Sequence, residues 1–215
     1  LTSVGIYKHN PSKDNFDVIK FFPESMHYTS FLEDNEGNYW AGTYRDGLLF
    51  YNPKSKKKEI FTYKYNSING ISNNSINSIF QDSKNRLWIA TENGLNLFDK
   101  KTRTFTKYNN QKGFPSNVFY SIIEGDNNTL WITTSKGLVQ FNPIHNSIKI
   151  YTTANGLLSD QFNYNSAFKD TNGEMYFGNL NGMISFNQKK FTKNKYVPKI
   201  FITGLQINNQ EVQTN

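Results

Sequence analysis

Asp82-Ser-Lys-Asn-Arg-Leu87-Trp88-Ile-Ala-Thr91-Glu-Asn-Gly94-Leu95 places an aspartate, a short apolar run around a tryptophan, and a glycine in close succession. Aspartate caps tight turns through its side chain, and glycine supplies the positive φ that such turns need. The run from Leu87 to Thr91 has the length of a strand and is too short for a helix. The same pattern occurs at Asp34 with Trp40-Ala-Gly-Thr43 and Gly47-Leu48, and at Asp126 with Leu130-Trp131-Ile-Thr-Thr134 and Gly137-Leu138. A fourth copy runs from Asp170 through Met175-Tyr176-Phe-Gly-Asn179 to Gly182-Met183. The anchor aromatics Trp40, Trp88, Trp131 and Tyr176 step by 48, 43 and 45 residues.

Two further markers keep the same order. A serine-started apolar run precedes each aspartate, as in Ser30-Phe-Leu-Glu33, Ser78-Ile-Phe-Gln81, Ser121-Ile-Ile-Glu124 and Ser166-Ala-Phe-Lys169. Gly70-Ile71, Gly113-Phe114 and Gly156-Leu157 recur at intervals of 43. A partial copy opens the chain, where Gly5-Ile6-Tyr7 leads to Asn10-Pro11 as Gly47-Leu48 leads to Asn52-Pro53. Tandem units of this length imply one supersecondary element per repeat, stacked on its neighbours.

Each unit reads as four short strands, A to D. Strand A is the serine-started run, and its nearly continuous apolar character suits the innermost position. Strand B carries the tryptophan, and the Gly47, Gly94, Gly137 and Gly182 turns lead into strand C. Strand D is Glu59–Tyr63, Thr104–Tyr108 or Ile148–Tyr151. The fold class expected is all-β: a partial β-propeller of four-stranded antiparallel blades, part of a larger, seven-bladed ring. The expected division is a C–D strand pair over 1–22, blades over 23–66, 67–109 and 110–152, a closing blade over 153–197, and a separate strand over 198–215. Pro198 marks that last boundary, since no strand A or tryptophan strand follows it.

Composition bounds the rest. The chain has 215 residues, 36% hydrophobic and 16% aromatic, enough for a packed core. No apolar run approaches the ~20 residues of a membrane-spanning helix. A chain that begins inside a repeat, at Leu1, reads as a piece of a longer protein. There is no cysteine, so disulfides and thiolate metal sites are excluded. The net charge is +7, but the lysines are scattered apart from Lys54 and Lys56–Lys58, a run that reads as a solvated turn. No nucleic-acid-binding signature occurs, and no nucleic-acid partner is expected.

The units resemble the two-component regulator propeller repeat: an aspartate turn, a Leu-Trp-Ile-Gly-Thr-like strand, then Gly-Leu. Asp82 to Leu95 carry the resemblance best, and 126 to 138 nearly as well. The stretch from Gly156-Leu157 through Gln161-Phe162-Asn163 to Tyr176-Phe177-Gly178 is similar to the closing repeat of such a propeller. Pro198 to Asn209 resemble the first strand of the immunoglobulin-like, triple-tyrosine domain that follows it. The resemblance implies the periplasmic sensor region of a hybrid two-component system in a glycan-degrading gut bacterium. The implied partners are an oligosaccharide ligand, the rest of the propeller, the immunoglobulin-like domain and a second copy of the receptor. A histidine kinase and a DNA-binding regulator would lie outside this stretch.

The chemistry-bearing residues are weighed against simpler roles. Trp40, Trp88 and Trp131 share one register, which favours packing between blades over stacking on sugars. Asp34, Asp82, Asp126 and Asp170 lack calcium-loop spacing and are favoured as turn caps. His9, His27 and His145 have no partner at metal spacing. No catalytic motif, metal or cofactor is expected. Three function classes stay open: a ligand sensor, an interaction scaffold, and a glycan-cleaving enzyme, which would need a convergent acid and base.

Candidate ligand-binding residues are those that depart from the internal repeat on the face shared by B–C turns and D–A loops. The turn Thr43 to Gly47 is one residue longer than its counterparts, and it carries Tyr44, Arg45 and Asp46. The loop Gly156 to Ser166 is two residues longer than Gly70 to Ser78 or Gly113 to Ser121. It contains Phe162 and Asn163, and Asn117 stands in the equivalent loop before the third A strand. An aromatic wall beside a few polar groups is what a sugar pocket requires.

Overall fold

The structure, a computed structural model, describes residues 5–191 and the backbone of 206–207 and 210–211. It is all-β, with four antiparallel sheets set as the blades of a propeller. A two-stranded sheet comes first, β1 (Tyr7–Asn10) against β2 (Asn15–Val18). The first blade is β3 (Tyr28–Glu33), β4 (Tyr39–Thr43), β5 (Leu48–Tyr51) and β6 (Lys58–Phe61). The second is β7 (Ile76–Gln81), β8 (Leu87–Thr91), β9 (Gly94–Asp99) and β10 (Thr104–Tyr108). The third is β11 (Phe119–Glu124), β12 (Leu130–Thr134), β13 (Gly137–Asn142) and β14 (Ser147–Tyr151). The fourth is β15 (Phe162–Lys169), β16 (Glu174–Asn179) and β17 (Gly182–Asn187). Within every blade the strands pair in chain order. The first strands lie side by side, β3 by β7, β7 by β11 and β11 by β15, so they form the inner wall.

The core lies between blades. Trp40, Leu48 and Phe50 of the first blade pack with Ile76, Leu87, Ile89 and Phe98 of the second. Trp88 and Leu95 meet Phe119, Ile132, Val139 and Phe141 of the third. Trp131 and Leu138 meet Phe162, Met175 and Phe177 of the fourth. All three tryptophans are completely buried in this role. Truncating a buried Trp to Ala costs about 3–5 kcal/mol, so each junction depends heavily on one side chain.

Two expectations change. The closing unit has three strands among the described residues, where four were expected. After β17 the chain makes a 3-10 turn at Gln188–Lys190 instead of a hairpin. Phe191 then packs against Trp131, Tyr151 and Phe186, filling the space at the outer end of this junction. The expected strand from 198 onward lies largely outside the described residues. Gln206–Ile207 and Gln210–Glu211 pair in a small sheet of their own.

The second change concerns the aspartates. Asp34 caps its turn through Oδ1, accepting from the amides of Glu36 and Asn38, and its Oδ2 accepts the Trp40 indole N–H at 2.9 Å. Asp82 repeats this with the amides of Lys84 and Arg86 and with the Trp88 indole at 2.8 Å. Asp170 caps the amides of Asn172 and Glu174. Asp126 does not. The amide that closes the third turn, bonding to Thr129 O, belongs to Gly125, one position earlier. Counting from the serine gives the same register: Ser30 to Asp34 and Ser78 to Asp82 span what Ser121 to Gly125 spans. Gln188 takes over the missing carboxylate's role. Its Oε1 accepts the Trp131 indole N–H and the Asp126 amide, each at 2.9 Å. A Cβ on Gly125 would stand 2.3 Å from that oxygen, so the glycine is what makes room for it.

Candidate functional site

The B–C turns and D–A loops are joined on one face by a repeated hydrogen bond. The turn glycine donates its amide to the loop of the next blade: Gly47 to Asn74 O, Gly94 to Asn117 O and Gly137 to Asp160 O. Within each turn the threonine hydroxyl bonds the glycine carbonyl, Thr43 to Gly47, Thr91 to Gly94 and Thr134 to Gly137. This rigid frame fixes the side chains that project from it.

The sequence-predicted residues divide on this frame. Tyr44, Arg45 and Asp46 are exposed, Tyr44 at 49%. The Arg45 guanidinium lies over the Tyr44 ring, 5.0 Å from its centre, a cation–π contact that orders the turn. Asn117 belongs to the loop framework: its carbonyl takes the Gly94 amide and its Oδ1 takes the Asn110 amide. Asn163 is half-buried and donates through Nδ2 to Asn179 O. Phe162 is a core residue, 2% exposed and packed with Trp131 and Phe177, so it offers no surface to a ligand. It pairs with Asn179 as Phe119 pairs with Thr134.

The two extra residues of the longer loop sit inside the inner strand. On β15, Phe162 pairs with Asn179 and the next pair is Ala167 with Phe177. Five steps on one strand oppose two on the other, three in excess. The other inner strands carry an excess of one, as Ile76 to Ser78 does against Thr91 to Ala90. The difference of two forms a wide bulge of the kind that re-aims side chains. Asn165 takes positive φ, +50°, at its tip.

The bulge carries Tyr164 and Asn165 across to the other blades. The Tyr164 hydroxyl donates to Glu92 Oε1 at 3.0 Å, and its ring meets Tyr120 edge-on at 4.6 Å. Asn77 Nδ2 donates to the same Glu92 oxygen at 2.8 Å and to Phe119 O. Asn165 Nδ2 reaches Thr29 O of the first blade at 3.4 Å. Four blades thus meet at one cluster on the inner wall. Burial, the bond to Glu92 and its charge, then Tyr120 and Tyr44, push the Tyr164 phenol up to about 12. Burial and then Glu92 also raise Tyr120. Both phenols therefore remain neutral donors at ordinary pH.

Glu92, Asn77, Tyr120 and Tyr164 were missed by sequence reasoning. Glu92 is an ordinary turn residue in the repeat, bonded by Asn77 of its own blade, and only the position of the bulge brings Tyr164 to it. A hollow of about 580 Å³ lies at the opposite ends of the inner strands, lined by Phe80, Ser83, Glu124 and Lys169. There the Glu124 carboxylate is bound at both oxygens by Ser83. No group of three or more acidic, histidine or cysteine residues suited to a metal occurs among the described residues. No helix among them is long and apolar enough to cross a membrane.

Comparison with known proteins agrees with this architecture. Residues 23–45, 70–93 and 113–136 match the two component regulator propeller family. Each of these three stretches falls in a different one of the first three blades. It is 27% identical to histidine kinase P4 of Formosa agariphila over 89% of its own length and 17% of that protein. Among solved structures, the extracellular domain of a putative hybrid two component system from B. thetaiotaomicron superimposes with a TM-score of 0.77 at 23% identity. That match covers 98% of this chain and 32% of the other. Another extracellular domain from B. thetaiotaomicron, described as a putative one component system, gives 0.65 at 26% identity, over 76% of this chain and 24% of that one. The chain thus spans less than a third of these relatives, at the described levels of similarity.

Proposed function

We propose that this chain forms part of an extracytoplasmic ligand-sensing propeller of a hybrid two-component sensor. It recognises oligosaccharides in the periplasm and relays the signal to a histidine kinase carried elsewhere in the same protein. The observation that carries this reading is the cluster on the inner wall. Four blades, three of them with stretches that match the two component regulator propeller family, bring aromatic rings, amides and a carboxylate together beneath the exposed Tyr164. These groups bond one another across the blades, and what they leave for recognition is the exposed Tyr164 and Glu92 Oε2, which accepts no hydrogen bond among the described residues. Nothing in the cluster pairs a general acid with a second carboxylate at glycosidase spacing, so binding without turnover is the expected behaviour. A following immunoglobulin-like domain and a receptor homodimer would carry the signal onward.

The complete ectodomain, incubated with an oligosaccharide library, tests this. Calorimetric binding with every oligosaccharide recovered intact supports the reading. Release of shortened products refutes it, and so does absence of binding across the library.

A further inference from the structure

We propose that Glu92 is a ligand subsite that takes a hydroxyl- or ammonium-bearing sugar unit and rejects uronate and sulfated units. This rests on the sensing reading above and names its chemistry.

The argument begins with the two carboxylate oxygens. Glu92 Oε1 is already bound, by Tyr164 and Asn77. Oε2 accepts no hydrogen bond among the described residues, although Glu92 is only partly exposed. A carboxylate oxygen with open lone pairs on a partly exposed residue favours a donor from outside, and a charged acceptor makes the stronger bond. Sugar hydroxyls and protonated amines are such donors, whereas carboxylate and sulfate groups have none to give and are repelled.

The surroundings supply the walls. Tyr164 is 55% exposed and stands on the rim, with its ring edge-on to Tyr120. Aromatic faces of this kind pack on the C–H faces of sugars and attract cations. The Tyr164 hydroxyl, a neutral donor with lone pairs to spare, extends the polar edge. The bulge that presents it is wider by two residues than those of the other inner strands. The +7 net charge favours anionic partners in general, so a preference for neutral or cationic sugars would have to come from Glu92 itself.

The test uses the complete ectodomain and three probes: the trimers of glucosamine, N-acetylglucosamine and galacturonic acid. Binding of either of the first two, with galacturonate trimer at least tenfold weaker, is expected. Glu92→Gln should weaken the preferred trimer at least tenfold and narrow its advantage over galacturonate trimer. Tyr164→Phe should weaken it severalfold, with near-ultraviolet circular dichroism unchanged in both variants. Galacturonate trimer bound best, or Glu92→Gln without effect on either affinity or selectivity, overturns this subsite while leaving oligosaccharide sensing intact. No binding of any trimer, alongside binding of other library members, also overturns it. Absence of binding by every oligosaccharide removes the sensing reading as well.

Discussion

At the junction of the second and third blades, Trp88 gives its indole N–H to Asp82, in the turn of its own blade. At the junction of the third and fourth, Trp131 gives it to Gln188, which lies 57 residues further along and belongs to the next blade. The indole is equally buried in both places and equally needs a partner. Gly125 stands where Asp82 stands, and Gln188 follows β17 directly, where Pro143 follows β13 and Lys100 follows β9. Lys100 already approaches Asp34 at the first junction, 3.9 Å from Oδ2. The position after strand C is thus adjacent to the cap of the preceding blade, and a substitution at one site can be answered at the other. A repeat need not carry its own cap, provided that its neighbour does.

The largest expected effect separates the two caps. Asp82→Ala leaves the Trp88 indole, Arg86 and two turn amides without their acceptor. Removing one partner from a buried charged network costs about 3–5 kcal/mol. Gln188→Ala removes a neutral acceptor and should cost about 1–3 kcal/mol. Urea unfolding of both variants checks the order, and equal losses would break the comparison. The next prediction sharpens it. Gly125→Asp alone should destabilise, because its Cβ would meet both Gln188 Oε1 and the Trp131 indole, which must shift to admit it. Combined with Gln188→Pro, it recreates the arrangement of the previous junction and should recover at least about 1 kcal/mol, read as coupling in a double-mutant cycle. Strict additivity would show that the two positions do not answer one another.

Acid offers a third comparison. Burial works to raise the Asp34 carboxyl, but bonds from Trp40, Asn38 and the Glu36 amide outweigh it and hold the group below its usual value. Its folded value is depressed, so its contribution is present above the ordinary carboxylate range and is lost as pH falls through the folded value. Asp34→Asn should flatten the acid limb of a stability–pH curve, whereas Gln188→Glu should add a new acid dependence at the third junction. The smallest effect is alkaline. Tyr164 is raised, so its contribution is complete below about 10 and is lost as pH rises toward about 12. Because Tyr164 is more than half exposed and solvent screens its interaction with Glu92, Tyr164→Phe should reduce the loss of stability over that window by only about a few tenths of a kcal/mol, measured as the difference from the parent protein.

Much of this architecture was readable in the chain because strand-forming runs, turn residues and tryptophans recur in one order. The strands around Trp40, Trp88 and Trp131 follow from local pattern alone. Asp126 was misplaced because an aspartate beside a glycine imitates the repeat by residue type, although the serine count points to Gly125. Phe162 reads as a loop residue because the bulge follows it, and chain length alone cannot say on which side of a core residue an insertion falls. Glu92 and Tyr164 lie 72 residues apart and meet only because the blades curve round a common axis. No local signal contains that closure.

The shared cap at Trp131 also has a consequence for the time course of synthesis. A chain emerging from the ribosome can complete the second blade's indole–carboxylate bond as soon as Trp88 has followed Asp82. The third blade emerges with its indole unanswered, and its last polar requirement is met only when Gln188 appears. Until then the nascent molecule carries one unfinished seam, and a protease or a stalled ribosome acting before that point leaves the third blade, as well as the fourth, incomplete.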